Sequence, residues 1–395
     1  MKRKAWIVML TAFLAGISLA WVQNKIPPVI LTLMETFEIS MATAGWLSSI
    51  FSIMAIITAI PAAYILNKLG PKYCGLIALG CAILGSFMGA FSSTLTTLFM
   101  SRIIEGLGLG VIAVVAPALI SMWFPPKKRG LPMGIWGAWQ MVAQSATFFL
   151  GEYLTLNYGW QGMWWFGVSL CVLSFILYGL KVASPPGELN YADVETVDVS
   201  IWEGFKSPSV WLLAGAAFSF CVACFGWCTW TAPFWSETFG WDIGVSNQYV
   251  GYIYMLEIPI VALIGWFLDR VTNRKRVGVI VTLFYSIILF ISFRMQSPQF
   301  ILVFVILYPI LEGAIPTVLW TITPQAVKKP ELAGIALAVL VMGMNLGMVF
   351  GPPITGAVVE AYGWAAGTIP ITIASLLSMA LMAKAKIYVH TNTNG

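Results

Sequence analysis

Charge is what this sequence has least of. Of its 395 residues only 9% are Asp, Glu, Lys or Arg, against about 25% in soluble domains. A chain so poor in charge cannot wet a globular surface all round, which excludes a soluble fold and points to lipid. Histidine is almost missing: the single copy, His390, sits in the tail. That leaves no His-based triad, imidazole base or metal cluster, and the chain reads as no enzyme, with neither metal nor cofactor. The six cysteines form no disulfide framework. Cys221, Cys224 and Cys228 recur at helical spacing in an apolar run and read as buried free thiols. "GLGLG", residues 106–110, has no strand before it, so it is not a dinucleotide loop. Basic residues are scattered over short loops, which excludes nucleic acid as a partner.

What is present is apolar: 59% hydrophobic residues, with 18 Trp and 24 Phe for aromatic belts and cavity walls. A helix of about 20 apolar residues crosses the hydrocarbon core. That rule predicts twelve spans, at 5–33, 42–66, 73–92, 97–122, 131–153 and 160–182, then 208–235, 246–268, 277–295, 298–323, 333–359 and 364–384. The opening "MKRKAWIVMLTAFLAGISLA" has the outline of a secretory signal. Its apolar stretch runs on to about Leu33, so it reads as an uncleaved first span.

Twelve spans put both ends on one side. With the N-terminus in the cytoplasm, all but three of the 21 basic residues fall in cytoplasmic segments; the three are Lys25, Arg102 and Arg294. That bias satisfies the positive-inside rule and predicts a multi-pass plasma-membrane protein with both termini cytoplasmic. One long polar stretch, "ASPPGELNYADVETVDVSIWEGFKS", reads as a cytoplasmic linker at 183–207. It separates a first six-helix bundle, 1–182, from a second, 208–395.

The halves echo each other. "AYILNKLGPKY" follows span two and "GWFLDRVTNRK" follows span eight, setting Asn67 against Asp269 and Lys68 against Arg270. "IIEG" in span four and "ILEG" in span ten set Glu105 against Glu312. Weak internal symmetry of this kind marks carriers that rock one half against the other. On these motifs the whole chain resembles the major facilitator superfamily. Lys68, Gly70 and Lys72 match that family's loop after span two, with Ala63 and Asn67 replacing its usual Gly and Asp; Gly265, Asp269 and Arg270 match in the second copy. The resemblance implies an all-α membrane fold of two pseudo-symmetric six-helix bundles. It also implies a gating role for these loop residues, weaker where Asn67 has no charge, and a central cavity lined by helices 1, 4, 7 and 10. "NKIPPVILTLMETFEIS" and "MWFPPKKRGLPMGIW" resemble the cyanate and nitrate/nitrite branch.

Only four spans carry a charged group in their interior: Lys25, Arg102 with Glu105, Glu257 and Glu312. A charge at mid-helix costs about 2.5–3.5 kcal/mol on the insertion scale, so each must pair, neutralise or face water. Arg102 and Glu105 are three apart and share a face, as a salt bridge or as part of proton coupling. Pro27 and Pro28 lack N–H groups and leave the carbonyls of Gln23 and Asn24 without helical partners. Two carbonyls, two side-chain amides and the Lys25 ammonium in one turn predict a site for an anion; the alternative is a Lys25 bridge to an acidic neighbour. Glu257 and Glu312 are proton carriers or members of a permanent bridge. Gln140, Asn345, Trp227, Trp230 and Tyr308 are the remaining polar and aromatic cavity candidates, and the glycines and prolines of span eleven are read as packing at the interface between halves.

The leading expectation is a monomeric secondary carrier of a small organic or inorganic anion, by proton symport or anion exchange, with the lipid bilayer and the solute as its partners. A second reading is an exporter of cationic or amphipathic compounds, with the two glutamates as anionic sites. A third, from another class, is a transport-dead sensor.

Overall fold

The computed structural model describes residues 2–125, 128–183, 205–329 and 332–388; the side chains of 2, 59–65 and 67 are outside that description. Among the described residues there is no strand. The helices are α1 (Lys2–Asn24), α2 (Ile30–Phe37), α3 (Met41–Ala90), α4 (Leu95–Trp123), α5 (Gly130–Gly137), α6 (Trp139–Tyr158) and α7 (Gln161–Lys181). After the polar stretch come α8 (Pro208–Phe239), α9 (Ile243–Leu268), α10 (Arg274–Ser292), α11 (Ile301–Ile322), α12 (Ala333–Tyr362) and α13 (Trp364–Lys384). Most of the expected linker, and His390, lie outside the described residues.

These helices carry all twelve expected spans. Spans two and three run together as α3 and part at Gly70, whose φ of 73 lies in the left-handed region that a side chain resists. Span one is α1 and α2 on either side of a 3-10 turn at Pro27–Val29. Span five is α5 and α6, broken at Ala138. Among the described residues eleven helices are long and apolar enough to cross a membrane. The expected span missing from these is the fifth, divided between α5 and α6, where Gln140, Gln144, Ser145 and Thr147 dilute the apolar run of α6.

Polar side chains start several helices. Ser40 accepts from the Thr43 N–H, Thr94 from Thr97 and Asn273 from Arg276, each supplying a partner that the first helical turn lacks. One terminus is strained. Glu38 closes α2 at φ 49, ψ 48, a left-handed position that costs a residue with a Cβ about 1 kcal/mol or more. Glu38→Gly is therefore expected to raise the melting temperature of the detergent-purified protein. An unchanged or lower temperature would show that neighbours already offset the strain.

Contacts divide the chain into two compact units, Met1–Glu195 with Asp242–Met255, and Thr196–Trp241 with Leu256–Gly395. In each, glycines on one helix lie against backbone carbonyls of another. A Cβ on Gly106 or Gly110 of α4 would overlap the carbonyl oxygen of Phe51 or Ala55, and one on Gly108 that of Ala78. In the second unit Gly343, Gly347 and Gly351 of α12 lie against the carbonyls of Ala214, Phe218 and Val222 of α8. Gly347 and Gly351, expected to permit close packing between halves, thus pack against α8 inside the second unit. Small residues let helix backbones approach where lipid gives no hydrophobic drive.

Candidate functional site

In the first unit the expected charges converge. Lys25, Arg102 and Glu105 all have zero exposure. The carboxylate bridges the two cations, Oε1 accepting from Lys25 Nζ at 2.6 Å and Oε2 from Arg102 Nη1 at 2.7 Å. Ser86 Oγ also donates to Oε1, at 2.8 Å, and accepts from Lys25 at 3.2 Å. The Lys25 ammonium stands 4.3 Å from the centre of the Trp164 ring, close enough for cation–π attraction. Room for this cluster comes from α3: a Cβ on Gly85 would press on the Glu105 side chain, and one on Gly89 would overlap Trp164.

Arg102 also explains how the broken first span is tolerated. Its guanidinium donates to the carbonyls of Val22 and Gln23, the latter at 2.9 Å. Both belong to the last turn of α1, and Pro27 has removed the helical donor of the Gln23 carbonyl. A cation there also meets the negative end of the helix dipole. Beyond the break, Asn247 Nδ2 donates to the Pro28 carbonyl at 2.9 Å. The Gln23 carbonyl, expected to be open for a ligand, is therefore occupied by Arg102.

Beside the charges lies an amide cluster. Gln140 Nε2 donates to Gln23 Oε1 at 3.0 Å, and Asn24 Nδ2 donates to Gln140 Oε1 at 3.2 Å and to the Ala20 carbonyl at 2.9 Å. Gln140 is only half-buried, whereas Gln23 and Asn24 are buried. Counted formally, the unit holds two positive charges and one negative at this point, with three neutral amides alongside.

The second unit gathers a different set. Glu257 of α9 and Glu312 of α11 are both buried and within hydrogen-bonding reach of each other. Gly313 makes the space, since a Cβ there would stand 3.2 Å from Glu257 Oε1. Cys224 Sγ of α8 donates to Glu312 Oε1 at 3.0 Å. With both carboxyls ionised, no donor reaches Glu312 Oε2, so a bond between them needs one proton. One turn before Glu312, Tyr308 places its hydroxyl 3.0 Å from that of Tyr285 and stacks on Trp227 with ring centres 3.7 Å apart. Trp230 is turned to packing, its indole N–H donating to the Pro352 carbonyl at 2.9 Å. Asn345 is half-buried and donates to the Val341 carbonyl of its own helix at 2.9 Å.

The paired loop residues are exposed or nearly so. Arg274 Nε donates to the Leu268 carbonyl at 2.9 Å, capping α9, while its Nη2 lies 3.5 Å from Asp269 Oδ1. Arg270 lies over the Trp266 ring at 3.6 Å and donates to that residue's carbonyl at 2.7 Å. A Cβ on Gly265 would meet open space. In the first copy Lys68 is exposed, Gly70 forms the turn and Lys72 is half-exposed; the side chain of Asn67 is outside the described residues.

Sequence reasoning missed Ser86, Trp164 and Tyr285, and read Cys224 only as a buried free thiol. None carries a motif, and only the spacing of Gly85 and Gly89 hinted that span three admits something bulky.

Comparison with known proteins bears on what such units do. The sequence profile described as the Major Facilitator Superfamily matches residues 8–334 and again 259–390. The putative niacin/nicotinamide transporter NiaP of Bacillus subtilis (strain 168) is 25% identical over 263 residues, 64% of this chain and 63% of that protein. The lincomycin resistance protein LmrB of the same organism is 22% identical over 196 residues, half of this chain and 41% of its own length. The chain thus spans less than two thirds of either relative. A bacterial homologue of the human lysosomal transporter Spinster, solved inward-facing and unoccupied, superposes with a TM-score of 0.82 at 15% identity. That match covers 97% of this chain and 98% of the other, and establishes the shared fold.

Proposed function

The chain belongs to the Major Facilitator Superfamily, and on that premise we propose that it is a secondary carrier of a small organic anion, driven by proton symport. The observation that carries the reading is the excess of cations over carboxylates in the first unit. Arg102 is committed to the end of α1 and to Glu105 Oε2. Among the described residues Lys25 holds Glu105 Oε1, Ser86 and an aromatic face. Lys25 is therefore the cation that can exchange its partner: a solute carboxylate takes its ammonium while Arg102 keeps Glu105 neutralised. Gln23, Asn24 and Gln140 supply neutral donors and acceptors for the rest of the solute. Of the two solutes in one relative's name, niacin is a small carboxylic acid and nicotinamide is its neutral amide. The likeness of two stretches to cyanate and nitrate/nitrite carriers draws no support from these relatives. The same reading places the protein in the plasma membrane as a monomer, with both termini cytoplasmic.

A second reading, export of cationic or amphipathic compounds, is favoured by the two carboxyls beside the Trp227–Tyr308 stack and by the name of the lincomycin-resistance relative. Lys25→Ala separates the two. Thermal-shift titrations with nicotinate and other small carboxylates are expected to show binding to the wild type. Affinity is expected to fall at least about tenfold in Lys25→Ala, since truncating a buried charge partner costs more than the 1.4 kcal/mol of one decade. Carboxylate binding that survives Lys25→Ala, or binding of cationic compounds alone, would reject the anion reading.

A further inference from the structure

We propose that Cys224 is a positioning residue for the proton held by Glu257 and Glu312, its thiol steadying the deprotonated form of Glu312. This rests on the proton-coupled reading above. The geometry is specific. Cys224 Sγ is 3.0 Å from Glu312 Oε1, and Oε2 is left without a protein donor. The thiol thus takes one oxygen and leaves the other for the exchangeable proton. Three other groups that can carry charge face the carboxyl from neighbouring helices: Glu257 from α9, Tyr285 from α10, and Cys221 beside Cys224 on α8. Tyr308 faces it from one turn earlier on its own helix. No cation is among the groups described around the pair.

In the proton step, the O–H bond at Glu312 Oε2 breaks and its electron pair stays on the carboxylate. The proton passes to a water molecule, which becomes hydronium. The Cys224 S–H is neither made nor broken; its hydrogen bond gains a charged acceptor, which makes it stronger. A donor that binds the charged form better than the neutral form favours release of the proton. Cys224→Ala removes that preference, whereas Cys224→Ser keeps a donor at nearly the same place.

The test needs no solute. The protonated-carboxyl C=O band of the purified protein is followed by infrared spectroscopy across a pH titration and assigned by its loss in Glu312→Gln. The midpoint is expected to move upward by about half a pH unit in Cys224→Ala and to return to or below the wild-type value in Cys224→Ser. The S–H stretch of the wild type, assigned by its loss in Cys224→Ser, should move to lower wavenumber as the carboxyl band disappears. That measurement decides the matter should the alanine variant not fold. An unmoved midpoint in Cys224→Ala, or an S–H band indifferent to pH, would overturn the role of Cys224 alone. A wild type with no titrating carboxyl band would remove the proton reading and this inference with it.

Discussion

Glu105→Gln is expected to yield little folded protein, and adding Lys25→Met to it is expected to restore folding. The carboxylate is the only negative group described between two wholly buried cations. Removing one partner of a buried ion pair costs about 3–5 kcal/mol, a large part of the ~5–15 kcal/mol that holds a domain together. Here the loss strands two cations, and Ser86 can neutralise neither. The introduced amide could still accept one hydrogen bond, but without charge. Lys25→Met then removes the cation that has no other anionic or carbonyl partner among the described residues, while Arg102 keeps the carbonyls of Val22 and Gln23. The double variant should therefore be more stable than Glu105→Gln alone, a reversal that independent sites would not produce. Size-exclusion profiles and melting temperatures of fluorescent fusions in detergent measure both effects. A Glu105→Gln protein that runs and melts like the wild type, or a double variant no better than the single, would show that the bridge does not support the fold.

The twelve spans were legible because lipid imposes them: a run of about 20 apolar residues has few other fates. Breaks inside spans were legible only where their cause is local. Pro27 and Pro28 mark the end of α1, whereas the break at Ala138 in span five has no proline or capping signal. The pairing of Arg102 with Glu105 followed from helical spacing alone. Lys25 was harder. Its sequence surroundings show polar groups and lost donors, but the partner Glu105 lies 80 residues away and reaches it only through packing of α1, α3 and α4. The same holds for the Gln23 carbonyl, which looked open because the arginine that fills it sits on another helix. Internal repetition was informative about architecture and misleading about chemistry. Glu105 and Glu312 align, yet one is ringed by cations and the other by a thiol, a second carboxyl and tyrosines. Likeness of position does not carry over likeness of charge.

That contrast makes Glu312→Gln the sharpest functional test. Unlike its counterpart in the first unit, the variant is expected to fold, because glutamine can accept from Cys224 through its carbonyl and donate to Glu257 through its amide. Every contact of the protonated acid is thereby imitated, and only the change of charge is lost. A carrier locked in that state can still bind an anion and exchange it across the membrane, but it cannot release a proton on the far side. In proteoliposomes with an acidic exterior, uptake of nicotinate driven by the pH gradient should fall about a hundredfold or more, equivalent to about 2.7 kcal/mol at 1.36 kcal/mol per decade. Nicotinate exchange with no gradient should stay within a few-fold of the wild type. Symport fixes the sign of the pH effect: lowering the outside pH loads the carboxyl pair and speeds wild-type uptake, while Glu312→Gln should be indifferent to it. Gradient-driven uptake that persists in Glu312→Gln and fails in Glu257→Gln would move the proton to the other carboxyl. Persistence in both would mean that neither carboxyl carries the coupled proton.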